Sequence, residues 1–86
     1  MAGPYQLTPG GNVSYPTWHA GKSTKLCVQN LDSSNLGKAT IELASRLFSE
    51  DVVVNPSAIA CIDRYWAGNL IHVNNTGSAL IRVWTE

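Results

Sequence analysis

Leu70-Ile71-His72-Val73-Asn74-Asn75-Thr76-Gly77-Ser78-Ala79-Leu80-Ile81-Arg82-Val83-Trp84-Thr85-Glu86 sets two apolar, β-prone runs around a stretch of turn formers. Val and Ile fit a pleated, half-buried surface, whereas Asn, Gly and Ser supply the polar or left-handed backbone a reversal needs. The pattern predicts a β-hairpin. A fainter copy lies upstream, where Val28-Gln29-Asn30, a polar loop and Ala39-Thr40-Ile41-Glu42-Leu43 repeat the order of Val73-Asn74-Asn75, a loop and Ala79-Leu80-Ile81-Arg82-Val83. Each copy is a strand ending in Asn followed by an alternating return strand.

Working outward, Ser23 to Asn30 reads as a strand with Leu26 and Val28 on one face and Lys25, Cys27 and Gln29 on the other. Residues 38–48 fit two periods. Ala39, Ile41 and Leu43 alternate with Thr40 and Glu42 as in a strand, while Leu36, Leu43, Ala44, Leu47 and Phe48 fall near one helical face. Strand is the expectation and a helix near 38–48 the alternative. Asp51-Val52-Val53-Val54, stopped by Asn55-Pro56, and the apolar stretch Ser57 to Tyr65 add further strands, and Trp66-Ala67-Gly68-Asn69 supplies a turn.

Residues 1–22 hold three of the four prolines and four of the seven glycines, which predicts an extended N-terminal arm. Within it Asn12-Val13-Ser14-Tyr15 can pair as an edge strand, because Pro16 lacks the donor a central ladder demands. Residues 23–86 then form a single β-sandwich domain of about 6–7 strands.

The Val-x-Asn-Thr-Gly-Ser type of turn, mainly within residues 70–85 and more faintly in 24–43, resembles the turns of bacterial and phage immunoglobulin-like β-sandwich modules. That resemblance implies a small antiparallel immunoglobulin-like architecture. Cys27, Cys61 and the three tryptophans do not reproduce the Cys-Trp-Cys arrangement or tyrosine corner of antibody-type domains.

Composition narrows the function classes. A chain of 86 residues buries about 60% of the surface its unfolded form exposes. Charged residues are 14%, six basic against six acidic, and uncharged Ser, Thr, Asn and Gln outnumber them about two to one. With no net charge, copies lack the self-repulsion that keeps monomers apart, which favours assembly. The cations are scattered from Lys22 to Arg82 rather than gathered on one face, so no nucleic-acid partner is expected. No apolar run approaches the roughly 20 residues of a spanning helix, so no membrane insertion is expected. The start Met-Ala-Gly-Pro-Tyr-Gln has no signal-peptide character, which places synthesis in the cytoplasm, with a virion or extracellular assembly as the destination that remains open.

No catalytic, cofactor or metal signature stands out. His19 and His72 have no Asp, Glu or Cys at ligand spacing, and no Gly-x-Ser-x-Gly turn or phosphate-cradling loop occurs. Glu50-Asp51 with Asp32 offers oxygen ligands for a cation but matches no loop motif. Cys27 and Cys61 read first as buried free thiols. A disulfide between strands is the alternative, closing a loop of roughly 35 residues.

The aromatic side chains carry the remaining candidates. Tyr5, Tyr15 and Trp18, in the arm, are expected to contact a neighbouring subunit, since aromatic rings are enriched at interfaces. Trp66 and Trp84 read first as core or end caps. The leading functional expectation is a non-enzymatic structural or interaction module that self-associates or docks on a larger assembly, such as a head-decoration or tail component of a virion. The alternative is a carbohydrate-binding module in which Tyr65, Trp66 or Trp18 stacks on a sugar.

Overall fold

Alternating β-branched and polar residues build eight strands: β1 (Ala2–Leu7), β2 (Asn12–Tyr15), β3 (Thr24–Asn30), β4 (Gly37–Leu43), β5 (Ser49–Val54), β6 (Ile59–Arg64), β7 (Ile71–Asn75) and β8 (Ile81–Thr85). The structure is a computed structural model and describes residues 2–19, 21–43 and 48–86. The strands form two four-stranded sheets, a first in the order β1-β8-β3-β6 and a second in the order β2-β7-β4-β5. Every pairing is antiparallel. This strand order is a jelly roll, or double-stranded β-helix, the architecture shared by capsid, lectin and cupin domains. An immunoglobulin-like sandwich of six or seven strands is therefore corrected to an eight-stranded jelly roll.

The closing segment is not a hairpin. β7 pairs with β2 and β4, whereas β8 pairs with β1 and β3, so the turn between them carries the chain from one sheet to the other. Its upstream echo does the same, since β3 lies in the first sheet and β4 in the second. Among the described strands, the consecutive pair that does hydrogen-bond directly is β4 with β5. The turn chemistry was read correctly, but a corner and a hairpin use the same residues. The strand reading holds for β4; the rest of the alternative helix, residues 44–47, lies outside the described residues.

The N-terminal segment is part of the sandwich rather than an arm. β1 is an edge of the first sheet and β2 an edge of the second, and β2 spans the four residues whose edge character Pro16 indicated. The two edge strands meet across the sandwich at Tyr5 and Tyr15, whose ring centroids lie 6.0 Å apart.

Inward positions fill the space between the sheets with Leu7, Tyr15, Leu26, Val28, Ala39, Ile41, Val52, Val54, Ile71, Val73, Ile81 and Val83. Each fully buried Val, Leu or Ile stabilises by about 1.5–3 kcal/mol over its exposed state. Trp66 joins this core, and two asparagines, Asn30 and Asn75, are buried at its rim.

Candidate functional site

Because Ile81 and Val83 face the core, the alternate residues Arg82 and Trp84 project from the outer face of the first sheet. The register sets Arg82 beside Gln29 on β3 and Gln29 beside Ile59 on β6. One row further, Trp84 stands beside Cys27 and Cys27 beside Cys61. Cys27 and Cys61 are joined by a disulfide whose Cα atoms lie 4.1 Å apart. The expected free thiols are thus corrected. Both cysteines face outward from directly opposed positions, which no spacing in the chain could show.

Beside this row the sheet carries a groove of about 440 Å³ lined by Gly3, Pro4, Gln29, Arg82, Trp84 and Glu86. The register of β1 against β8 shifts between Ala2 and Tyr5, which leaves Gly3 and Pro4 at the height of Trp84. Such bulges re-aim or interrupt an edge next to sites. A Cβ on Gly3 would meet nothing within 4 Å, so this flank of the groove is open. The indole of Trp84 is held in place, its Nε1–H donating to Glu86 Oε2 at 3.1 Å. Among the described residues, Arg82 and Gln29 have no side-chain hydrogen bond or ion pair.

The residues singled out from the sequence do not converge on this groove. Tyr15 is a core residue, 1% exposed, with its hydroxyl donating to Val83 O at 3.0 Å, so it is not a subunit contact. Its place on β2, on the same face as Val13 and alternating with the outward Ser14, turns it inward. Tyr5 is half-exposed against it. Trp18 is partly buried and has the Lys22 ammonium 3.8 Å above its ring, which occupies one face. Trp66, 4% exposed, is closed to a sugar, because it plugs the end of the core next to the turn fixed by Asn69 N donating to its carbonyl. Tyr65 is 74% exposed and does not line the groove. Trp84, expected as core or an end cap, is corrected to a half-buried residue of the outer face, and Arg82 was legible only as a member of an alternating strand; the phase of that alternation was the signal that both face outward.

The outer face of the second sheet is a polar lattice. Ser14 Oγ and His72 Nδ1 are 2.6 Å apart, Thr40 Oγ1 donates to Asp51 at 2.7 Å, and Asn74 Nδ2 donates to Glu42 at 3.2 Å. The carboxylates considered for a cation are dispersed. Glu50 pairs with Arg64 at 2.6 Å, Asp51 with Lys38 at 3.7 Å, and Asp32 serves its own loop. Hydrogen bonds from the Asn35 side chain, then from the Ser34 and Asn35 backbone and the Ser34 hydroxyl, hold the Asp32 carboxyl down at about 2. Among the described residues no group of three His, Cys, Asp or Glu side chains gathers to hold a metal.

A de novo designed double-stranded β-helix superposes on the chain with a TM-score of 0.53 at 16% identity, covering 100% of this chain and 99% of that one. That likeness concerns the fold alone, and it replaces the immunoglobulin-like resemblance. Two uncharacterized proteins of Dictyostelium discoideum are similar along their whole length, at 36% and 34% identity over 86 residues, with 99% of each chain covered. Residues 5–86 match the family described as a family of unknown function (DUF8244), and the chain belongs to that family.

Proposed function

We propose that this chain is a non-enzymatic interaction module that associates with copies of itself end to end. The observation that carries the reading is the distribution of its exposed apolar side chains. Five of the eight exposed large apolar side chains among the described residues, Leu31, Leu36, Val53, Ile59 and Leu80, lie within a few residues of one pole, where the β3–β4, β5–β6 and β7–β8 connections meet; Val53 and Ile59 flank it on the outer faces of the two sheets. Exposed apolar side chains gathered at one end of a domain suit an interaction site.

The pole is rigid before it binds. Leu31 N donates to Leu80 O at 3.0 Å, Asn30 N to Ala58 O at 2.9 Å and Ser57 N to Asp32 O at 3.0 Å, so three loops are tied into one surface. Preorganised loops lose little freedom on association, which leaves more of the burial energy for affinity. A second copy is the partner that fits, since a chain with six basic and six acidic side chains does not repel itself. The virion placement rested on the phage resemblance and is not carried forward.

Sedimentation equilibrium tests the reading. The wild type is expected to self-associate at micromolar concentration, and Leu36→Glu with Ile59→Glu to remain monomeric with an unchanged melting temperature. A wild type that is monomeric into the millimolar range overturns it.

A further inference from the structure

We infer that the groove beside Trp84 is a subsite for a neutral saccharide, with the indole as its floor and Arg82, Gln29 and Glu86 as its hydrogen-bonding rim. The site lies on the outer face of the first sheet; its Gln29–Arg82 end adjoins Ile59 of the apolar pole, while Trp84 stands a row further along the sheet.

Four features select this ligand class. The floor is a half-buried indole, fixed by its bond to Glu86 and flanked by the Cys27–Cys61 disulfide, so a flat apolar surface is offered at little ordering cost. The rim is made of planar groups, an amide, a guanidinium and a carboxylate, which together donate and accept in fixed directions. Adjacent hydroxyls on a pyranose ring do both, while the C–H face of the ring matches the indole. The charges are one cation, Arg82, and one anion, Glu86, about 13 Å apart along β8 by the strand rise, so the groove has no net preference for an ion.

The backbone gives the fourth argument. β8 is paired on both sides, by β1 and by β3, so its amides and carbonyls are committed to ladders. A peptide laid in the groove would find main-chain partners only along the outer edge of β1, and its amides over β8 and β3 would go unpaired, at a cost of about 1–3 kcal/mol each. A polyol over β8 and β3 is met by side chains, and those of Arg82 and Gln29 are uncommitted among the described residues. The groove, at about 440 Å³, is within the range of roughly 300–1,000 Å³ typical of small-molecule sites.

The test is a backbone and indole NMR titration of the full chain with neutral tetrasaccharides, one each of cello-, xylo-, manno-, laminari- and chito-series. At least one is expected to shift the Gln29, Arg82 and Trp84 resonances, including the Trp84 indole N–H. Trp84→Ala should then weaken binding by about tenfold or more, the loss of one well-buried stacking contact. Arg82→Ala, a substitution at an exposed position, provides the second variant should the first misfold, and is expected to weaken binding several-fold. No shift with any of the five, or shifts centred on Tyr65 or on the second sheet, overturns the inference; neither result bears on the self-association measured by sedimentation.

Discussion

Asn30 and Asn75 are the same device used twice. Asn30 ends β3 in the first sheet and donates from Nδ2 to Val54 O in the second, at 3.1 Å; Asn75 ends β7 in the second sheet and donates to Leu7 O in the first, at 2.8 Å. Each also closes its own turn. The Asn30 amide donates to Asn35 O and its Oδ1 accepts from Asp32 N, while Asn75 donates to Ala79 O and accepts from Gly77 N. The two residues are 1% and 2% exposed and have three side-chain hydrogen bonds apiece. They bind the two halves of the double-stranded β-helix at equivalent corners.

Replacing either asparagine by alanine strips partners from two carbonyls and one amide at a buried corner. Each unpaired buried group costs about 1–3 kcal/mol, so Asn30→Ala and Asn75→Ala should each lower stability by roughly 2–4 kcal/mol. Asn75→Asp should cost more at neutral pH, because a carboxylate would face Leu7 O and Ala79 O with no proton to donate. Urea unfolding followed by tryptophan fluorescence checks this. An Asn75→Asp chain as stable as wild type would contradict the cross-sheet role.

The internal repeat was visible in the chain because each copy ends its strand in Asn and resumes with alternating apolar residues. What the repeat joins was not visible. Asn74-Asn75-Thr76-Gly77 suits a tight reversal within one sheet as well as a corner between two, and the choice is made by Val54 and Leu7, distant in sequence, whose carbonyls the asparagines reach. Pro4 and Pro9 gave residues 1–22 the character of an arm. An edge strand tolerates proline on its unpaired side, which is how β1 fits. The groove was hidden for a related reason: Gly3, Gln29 and Arg82 are far apart along the chain and meet only because β8 lies between β1 and β3.

The disulfide should account for a large share of stability in so small a chain. It links residues 34 apart, and the chain-entropy relation gives about 3–4 kcal/mol for a loop of that length. Reduction, or the Cys27→Ala, Cys61→Ala double variant, is expected to lower the unfolding free energy by that amount, read as a lower urea midpoint. The comparison in the presence and absence of reductant should leave the double variant unchanged. Equal midpoints for oxidised and reduced wild type would contradict it.

Gly77 is required by close approach rather than by its dihedral angles. A Cβ at this position would stand 2.8 Å from Lys38 N and 3.2 Å from Lys38 Cβ, where the β7–β8 corner crosses β4. Backbone must move to admit it, so Gly77→Ala should cost about 1–3 kcal/mol. Gly3→Ala, where the new methyl meets nothing within 4 Å, is the control and should stay within about 0.5 kcal/mol of wild type. Thermal unfolding of both variants separates crowding from the general effect of removing a glycine.

The alkaline limit of stability should be set in part by Tyr15. Burial in the core, and secondarily the neighbouring Tyr5, push its phenol up from 10.0 to about 12. In the unfolded chain the same group ionises near its ordinary value, so between about pH 10 and 12 the folded state holds a proton that the unfolded state has released. Stability rises with pH only where the unfolded state binds more protons; here it binds fewer, so the contribution is complete below about pH 10 and is lost as pH climbs through about 12. Absorbance titration of the phenolates should show one of the three tyrosines ionising only near pH 12, a step that Tyr15→Phe removes. The same variant loses the hydroxyl's bond to Val83 O, which ties β2 of one sheet to β8 of the other, and should be about 1 kcal/mol less stable at neutral pH. Its stability should then fall less steeply than that of wild type between pH 10 and 12. A Tyr15→Phe chain that loses stability along the same alkaline curve as wild type would show that another group sets the limit.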